Sequence, residues 1–276
     1  MIVATMGLQL RLFLVAVQFY TRLPVNGRLA SWVGWQPDWP SRATRYFPLV
    51  GALVGVLVAS AYTVAGGFLP HGVAVLIALG AGVLLTGAFH EDGFADFCDG
   101  FGGHTDRERT LQIMQDSRVG AYGAIGVAML VLGRFETLAS LEPEWTASAL
   151  IGGHALSRGC AVAVMVTLPY ARTDSLAKAR PVATGLTALD AGIALALAAL
   201  PAIGLALWTG APGRFAIGAL AAALATLWLR RAMRRRLGGY TGDCLGAVQQ
   251  AAELAFHVGM LGGLILASEA LGEPGE

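Results

Sequence analysis

At 276 residues the chain has room for one or two soluble domains, but 55% of it is hydrophobic, only 13% is charged and its mean hydropathy is +0.62. A soluble domain needs roughly 25% charged residues to meet water, so a soluble fold is excluded and an all-α, polytopic membrane protein is expected. A net charge of +1 points to no polyanionic or nucleic-acid partner.

Residues 1–20 read as one helix, ended by the TRLP segment because proline disfavours helix at the residue before it. Arg11 and Gln18 make it a poor span, so an interfacial or partly inserted helix is expected. A lone Arg11 before the apolar run and no small-residue cleavage site argue against a signal peptide. Residues 21–45 read as irregular, with Trp32, Trp35 and Trp39 suited to the headgroup level. Seven spans are expected after them, at about 46–65, 72–90, 120–140, 146–168, 185–209, 214–230 and 246–268. Pairs such as Gly51-xxx-Gly55 permit close helix approach. Three scattered cysteines, Cys98, Cys160 and Cys244, form neither a disulfide framework nor a zinc spacing. No repeat or soluble domain is visible, so residues 1–276 are read as one integral membrane domain.

The connections carry an orientation signal. Those at 21–45, 91–119, 169–184 and 230–245 hold 15 of the 19 Lys and Arg residues, whereas the alternate ones hold only Arg214. Basic residues collect on the cytoplasmic side, so the 91–119 connection is expected there and the C-terminus on the opposite side.

Seven of the 18 acidic residues fall between His90 and Gly123: Glu91, Asp92, Asp96, Asp99, Asp106, Glu108 and Asp116. On a continuous helix, Asp92, Asp96 and Asp99 at i, i+4 and i+7 share a stripe roughly 60° wide. Carboxylates so crowded either take up protons or recruit a cation. Hard oxygen ligands without matching Cys or His favour Mg²⁺ or Mn²⁺ over zinc. Glu91 points about 100° away from Asp92, and His90 reads as an interfacial hydrogen-bonding residue. Thr105 to Glu108 form a capping-box pattern that should start a short helix running to about Ser117, with Leu111 and Met114 facing the membrane. Asp106 and Glu108 then serve its positive N-terminus. Asp116 and Arg118 either complete a metal and phosphate site or anchor the chain at the membrane surface.

A second focus is RRAMRRRLGGYTGD at 230–243. Its arginines read as topology anchors and lipid-headgroup contacts, while the glycine turn before Asp243 could offer N–H groups to phosphate. Within the spans, His154 and Arg158 stand at i, i+4, as do Glu253 and His257. Such groups should face the bundle interior, paired with one another (Glu253 with Arg158, for instance) or touching substrate. Arg134 and Glu136 either neutralise each other or lie near the far interface.

The blocks HEDGFADFCDGFGG, LQIMQDSRVGAYG and LGGYTGDCLGA, with FYTRLPV near the start and SRG at 157–159, resemble the cobalamin-5′-phosphate synthase (adenosylcobinamide-GDP ribazoletransferase) family over essentially the whole chain. The resemblance implies a membrane transferase joining adenosylcobinamide-GDP to α-ribazole, or its 5′-phosphate, with release of GMP and with Mg²⁺ as cofactor. On that reading the site is built from 90–123 and 238–257 at the cytoplasmic face of a bacterial-type inner membrane. Asp92, Asp96 and Asp99 would hold metal, Asp116 would be the general base, and Asp99 would share the catalytic work. Arg118, Arg158, Asp243, Glu253 and His257 would contact or orient substrate. Membrane lipid and a second copy of the chain are further expected partners. Asp96-Phe97-Cys98-Asp99-Gly100 also echoes the D-x-x-D-G start of the CDP-alcohol phosphotransferase motif, but Gly103-His104 stands where Ala-Arg should follow. A cation transporter is the reading from another class, although it would place its acids at a broken helix near the bilayer midplane.

Overall fold

The computed structural model describes residues 2–103, 105–172 and 186–271, with side chains at 6–103, 105–172 and 186–263. Lys178 and Arg180, counted among the basic connections, lie outside these residues. In chain order the helices are α1 Ile2–Tyr20, α2 Gly27–Val33, α3 Trp39–Ala43, α4 Phe47–Gly66, α5 His71–Thr86, α6 Phe89–Gly102, α7 Arg107–Ile113, α8 Ala121–Ala139, α9 Pro143–Thr167, α10 Ala188–Trp208, α11 Pro212–Leu237 and α12 Gly242–Leu271. Among the described residues the one β feature is an isolated bridge between Tyr170 and Tyr240.

Among the described residues five helices are long and apolar enough to cross a membrane: α4 with its lead-in from Trp39, then α8, α9, α10 and α11. The chain is therefore a helical polytopic membrane protein, with α5 and α6 making a sixth span if taken as one bent unit. The expected seventh, 246–268, is helical within α12, but Gln249, Gln250, Glu253 and His257 make the described part of α12 too polar to count with the others. Those side chains are buried, so α12 turns a polar face inward. α9 lies at the centre, and the Gly51-xxx-Gly55 pair of α4 lets it approach closely: a Cβ on either glycine would strike the α9 backbone. The 21–45 segment is more ordered than expected, since it holds α2 and α3, and Trp39 is buried with Leu12 and Val33 rather than at a headgroup.

The expected span at 72–90 is not continuous. α5 stops at Thr86, Gly87 and Ala88 both adopt left-handed backbone (φ 68° and 58°), and α6 leaves at 89° to α5. A side chain at position 87 would strike the Arg22 guanidinium. Ala88 is the only positive-φ residue other than glycine among those described, and that conformation costs an L-residue about 1–2 kcal/mol. Ala88→Gly should therefore raise unfolding stability in detergent by about 0.5–1 kcal/mol, after allowing for glycine's extra chain entropy. A lower thermal midpoint would show that the break is not strained.

α7 is shorter than expected. Its N-cap is Asp106, which accepts a hydrogen bond from the Arg109 amide at 2.8 Å, not Thr105. Met114 does not face lipid but is buried against Gly100 of α6.

Candidate active site

The stripe expected from spacing is helical: α6 carries Asp92 exposed, Asp96 and Asp99 half-buried. α6 meets the start of α12 through two glycines. A Cβ on Gly93 would come within 3.0 Å of the Asp243 Cα, and one on Gly246 within 3.0 Å of the His90 carbonyl oxygen. That side-chain-free crossing brings Asp243 beside Asp96, which has Asp243, Asp92 and Asp99 as electrostatic neighbours and Arg172 as the countercharge. Arg172 donates from Nη2 to Asp243 Oδ2 at 3.2 Å. Residues about 150 positions apart in the chain are thus brought together, with an arginine that the sequence did not single out. Arg172 was visible only as one more basic residue in a connection. Gly93→Ala should push α6 off α12 by a few tenths of an ångström, lowering turnover about tenfold with little loss of folded protein. Unchanged turnover would show that the Gly93 contact does not set the site.

Asp99 is used differently from Asp92 and Asp96. Its Oδ2 accepts the Gly120 amide at 2.7 Å and its Oδ1 the Gly123 amide at 2.8 Å. These are unsatisfied donors of the α8 N-terminus, where a carboxylate is also favoured by the helix dipole. Both oxygens are therefore already engaged, in competition with the expected metal and catalytic roles. A Cβ on Gly120 or Gly123 would collide with this carboxylate, which explains the glycines of the VGAYG segment.

Asp116 and Arg118 form a pair on the connection leading into α8. Arg118 Nη2 lies 2.6 Å from Asp116 Oδ2, and Nε donates to the same carboxylate. The hydrogen bonds from Arg118 push the Asp116 carboxyl down to about 2. While that clamp holds, Asp116 is too weak a base to take a proton at neutral pH. The GGYTGD turn is also partly committed, since the Tyr240 amide donates to the Pro169 carbonyl at 3.0 Å.

Arg158, Glu253 and His257 are fully buried and have protein partners rather than an open face toward substrate. His154 Nδ1 lies 3.0 Å from Glu253 Oε2, Arg158 Nη1 donates to the His154 carbonyl at 2.8 Å, and His257 Nε2 lies 3.3 Å from the Ala149 carbonyl. The ion-pair partner of Glu253 is Arg134, not Arg158. Arg134 is buried while Glu136 is exposed, so those two do not neutralise each other. Arg134 Nη1 also donates to Gln250 Oε1 at 3.0 Å, and Gln250 Nε2 to Glu91 Oε1 at 2.9 Å. His90 is buried, its ring stacked on Phe47 at 5.7 Å.

Among the described residues no three His, Cys, Asp or Glu side chains stand close enough together to enclose a metal ion. The donor set nonetheless suits Mg²⁺, which is usually held by one or two carboxylates and completes its shell with water and substrate phosphate. Asp92 and Asp96, with Asp243 alongside, provide hard oxygens of that kind.

A family profile described as Cobalamin-5-phosphate synthase matches residues 12–261. Three similar proteins, each named Adenosylcobinamide-GDP ribazoletransferase, come from Leptothrix cholodnii, a Polaromonas species and Ralstonia nicotianae. The first is 44% identical over 268 residues, covering 92% of this chain and 96% of its own length. The second is 40% identical over 277 residues, with 91% and 96% covered. The third is 44% identical over 245 residues, with 87% and 90% covered. No solved structure matches the chain.

Proposed function

The chain belongs to the cobalamin-5-phosphate synthase family, an enzyme family of cobalamin synthesis, and on that premise we propose that it joins adenosylcobinamide-GDP to α-ribazole, or to its 5′-phosphate, with release of GMP. The observation that carries the residue assignment is the Gly93–Gly246 crossing, which sets Asp243 and Arg172 beside the α6 carboxylates. The basic connections favour a site facing the cytoplasm from a bacterial-type inner membrane.

In this reading Asp92 and Asp96 hold Mg²⁺, with Asp243 orienting or adding a ligand. Held there, Mg²⁺ would offset negative charge on the substrate phosphates and the leaving group. Arg172, poised on Asp243, balances the site before substrate arrives and can turn to a phosphate oxygen once it does. Arg118, exposed and paired with Asp116, can do the same by leaving that pair. A phosphate that draws Arg118 away removes the hydrogen bonds that keep Asp116 acidic, and the carboxylate becomes a better base as substrate binds. The ribose 3′-hydroxyl then loses its proton to Asp116 and attacks the phosphorus on the cobinamide side. The bond from that phosphorus to the bridging oxygen breaks, and its electron pair leaves with GMP. Asp99 keeps α6 registered on α8, while Arg158, Glu253 and His257 shape the bundle beneath the site.

The helix break at Gly87–Ala88 also fits the transporter reading. The carboxylates, however, lie beyond the break against Arg172 and Asp243, and the relatives are named as transferases. The acceptor is tested by offering α-ribazole and α-ribazole 5′-phosphate separately with adenosylcobinamide-GDP and isolating the corrinoid product. A new phosphodiester-linked corrinoid with either acceptor is expected, and none with both would sink the proposal.

A further inference from the structure

We propose that Glu91 is a positioning residue: held by Gln250 and Arg134, it fixes how α6 is rolled and so where Asp92 and Asp96 point. This rests on the reading of those two carboxylates as metal ligands.

Apolar packing seats α6, with the His90 ring on Phe47 and Phe97 in the core. The break at Gly87–Ala88 uncouples it from α5. Its closest neighbours meet it through glycines, Gly93 of α6 and Gly246 of α12 at one contact and Gly123 and Gly126 of α8 at the other. Glycine surfaces allow near approach but offer no side chains to interlock. Two polar ties at opposite ends of the helix add directional restraint to this packing. At one end Asp99 accepts the Gly120 and Gly123 amides. At the other, eight residues or about 12 Å away along the axis, Glu91 accepts from Gln250 at 2.9 Å and lies 3.8 Å from Arg134. Arg134 follows Gly123 on α8, so the two ties run α6 antiparallel to α8.

Glu91 directly precedes Asp92 and points about 100° around the helix from it. With Glu91 9% exposed and turned into the bundle, Asp92 is exposed and Asp96 half-buried. Any roll that released Glu91 would move both carboxylates. The anchor is itself immobilised, because Arg134 is bound by Glu253 and by Gln250. Glu91 Oε2 is a buried oxygen with no hydrogen-bond partner, in a cavity lined by Thr86, His90, His154 and Arg158. A buried carboxylate left partly unsatisfied adds little to stability compared with an apolar residue. Its directional bond to Gln250 is what an apolar residue could not supply.

The test uses full-length protein in detergent, with free Mn²⁺ followed by electron paramagnetic resonance and thermal unfolding measured alongside. Glu91→Gln should bind Mn²⁺ about tenfold more weakly at an unchanged unfolding midpoint, and kcat should fall while KM for adenosylcobinamide-GDP stays put. Exchanging the partners, Glu91→Gln with Gln250→Glu, restores one acid and one amide across the same contact and should bring Mn²⁺ affinity back to about the unmodified level. Equal Mn²⁺ affinity in Glu91→Gln and unmodified protein overturns the proposal. If Glu91→Gln does not fold, the exchanged variant decides: it must fold and bind Mn²⁺ normally, and failure to bind overturns the proposal. Unmodified protein that binds no Mn²⁺ sinks the metal reading itself, a result distinct from either.

Discussion

Asp96→Asn should abolish GMP release while leaving the protein inserted and folded. Asp96 stands at the centre of the acidic group, with Asp92 and Asp99 on its own helix, Asp243 across the Gly93–Gly246 crossing and Arg172 as countercharge. The substitution keeps the side chain's size and removes one negative charge from a crowded set, so the fold loses a repulsion rather than a partner. What it loses is a hard anionic ligand. Groups that stabilise charge in the transition state are commonly worth 10²–10³ in rate, about 3–4 kcal/mol, and a drop of at least that size is expected. The variant should also bind Mn²⁺ poorly with an unaltered thermal midpoint. Retained turnover would place the chemistry away from the α6 stripe.

The second large effect is on stability. Glu253→Leu should destabilise the bundle by about 3–5 kcal/mol, because it leaves the Arg134 guanidinium buried without its closest counterion. Glu253 also accepts from Gln249 and lies 3.0 Å from His154 Nδ1, so several donors lose their acceptor at once. Arg134→Met combined with Glu253→Leu removes both charges and should recover part of the loss, as paired removal of buried ions does elsewhere. Thermal unfolding in detergent measures each variant. A Glu253→Leu protein as stable as the unmodified chain would mean that the Arg134 pair is not a structural tie.

The helices were largely readable in advance because a span leaves a long, periodic apolar signature: α8, expected at 120–140, occupies Ala121–Ala139, and α9, expected at 146–168, occupies Pro143–Thr167. The α6 stripe was readable for a similar reason, since i, i+4 and i+7 spacing is local. The break at Gly87–Ala88 was hidden because glycine and alanine both belong in an apolar helix, and a left-handed turn leaves no mark on hydropathy. Long-range pairs were hidden as well. Arg134 meets Glu253 across 119 residues, and nearby Glu136 offered itself as a plausible but incorrect partner. Asp99 shows the same limit at a finer scale. Its spacing matches that of Asp92 and Asp96, yet the α8 amides, 21 and 24 residues on, engage its oxygens. Arg172 sits in a connection without periodicity, and only the packing of α6, α12 and the 169–172 segment gives it a role.

The most direct test of the central claim is GMP release by the purified protein from adenosylcobinamide-GDP, with α-ribazole and Mg²⁺ each supplied or withheld. The proposed mechanism predicts release only when Mg²⁺ and an acceptor, α-ribazole or its 5′-phosphate, are both present, loss on chelation, and restoration by added Mg²⁺. Release that continues without either acceptor, or that ignores chelation, would contradict the account.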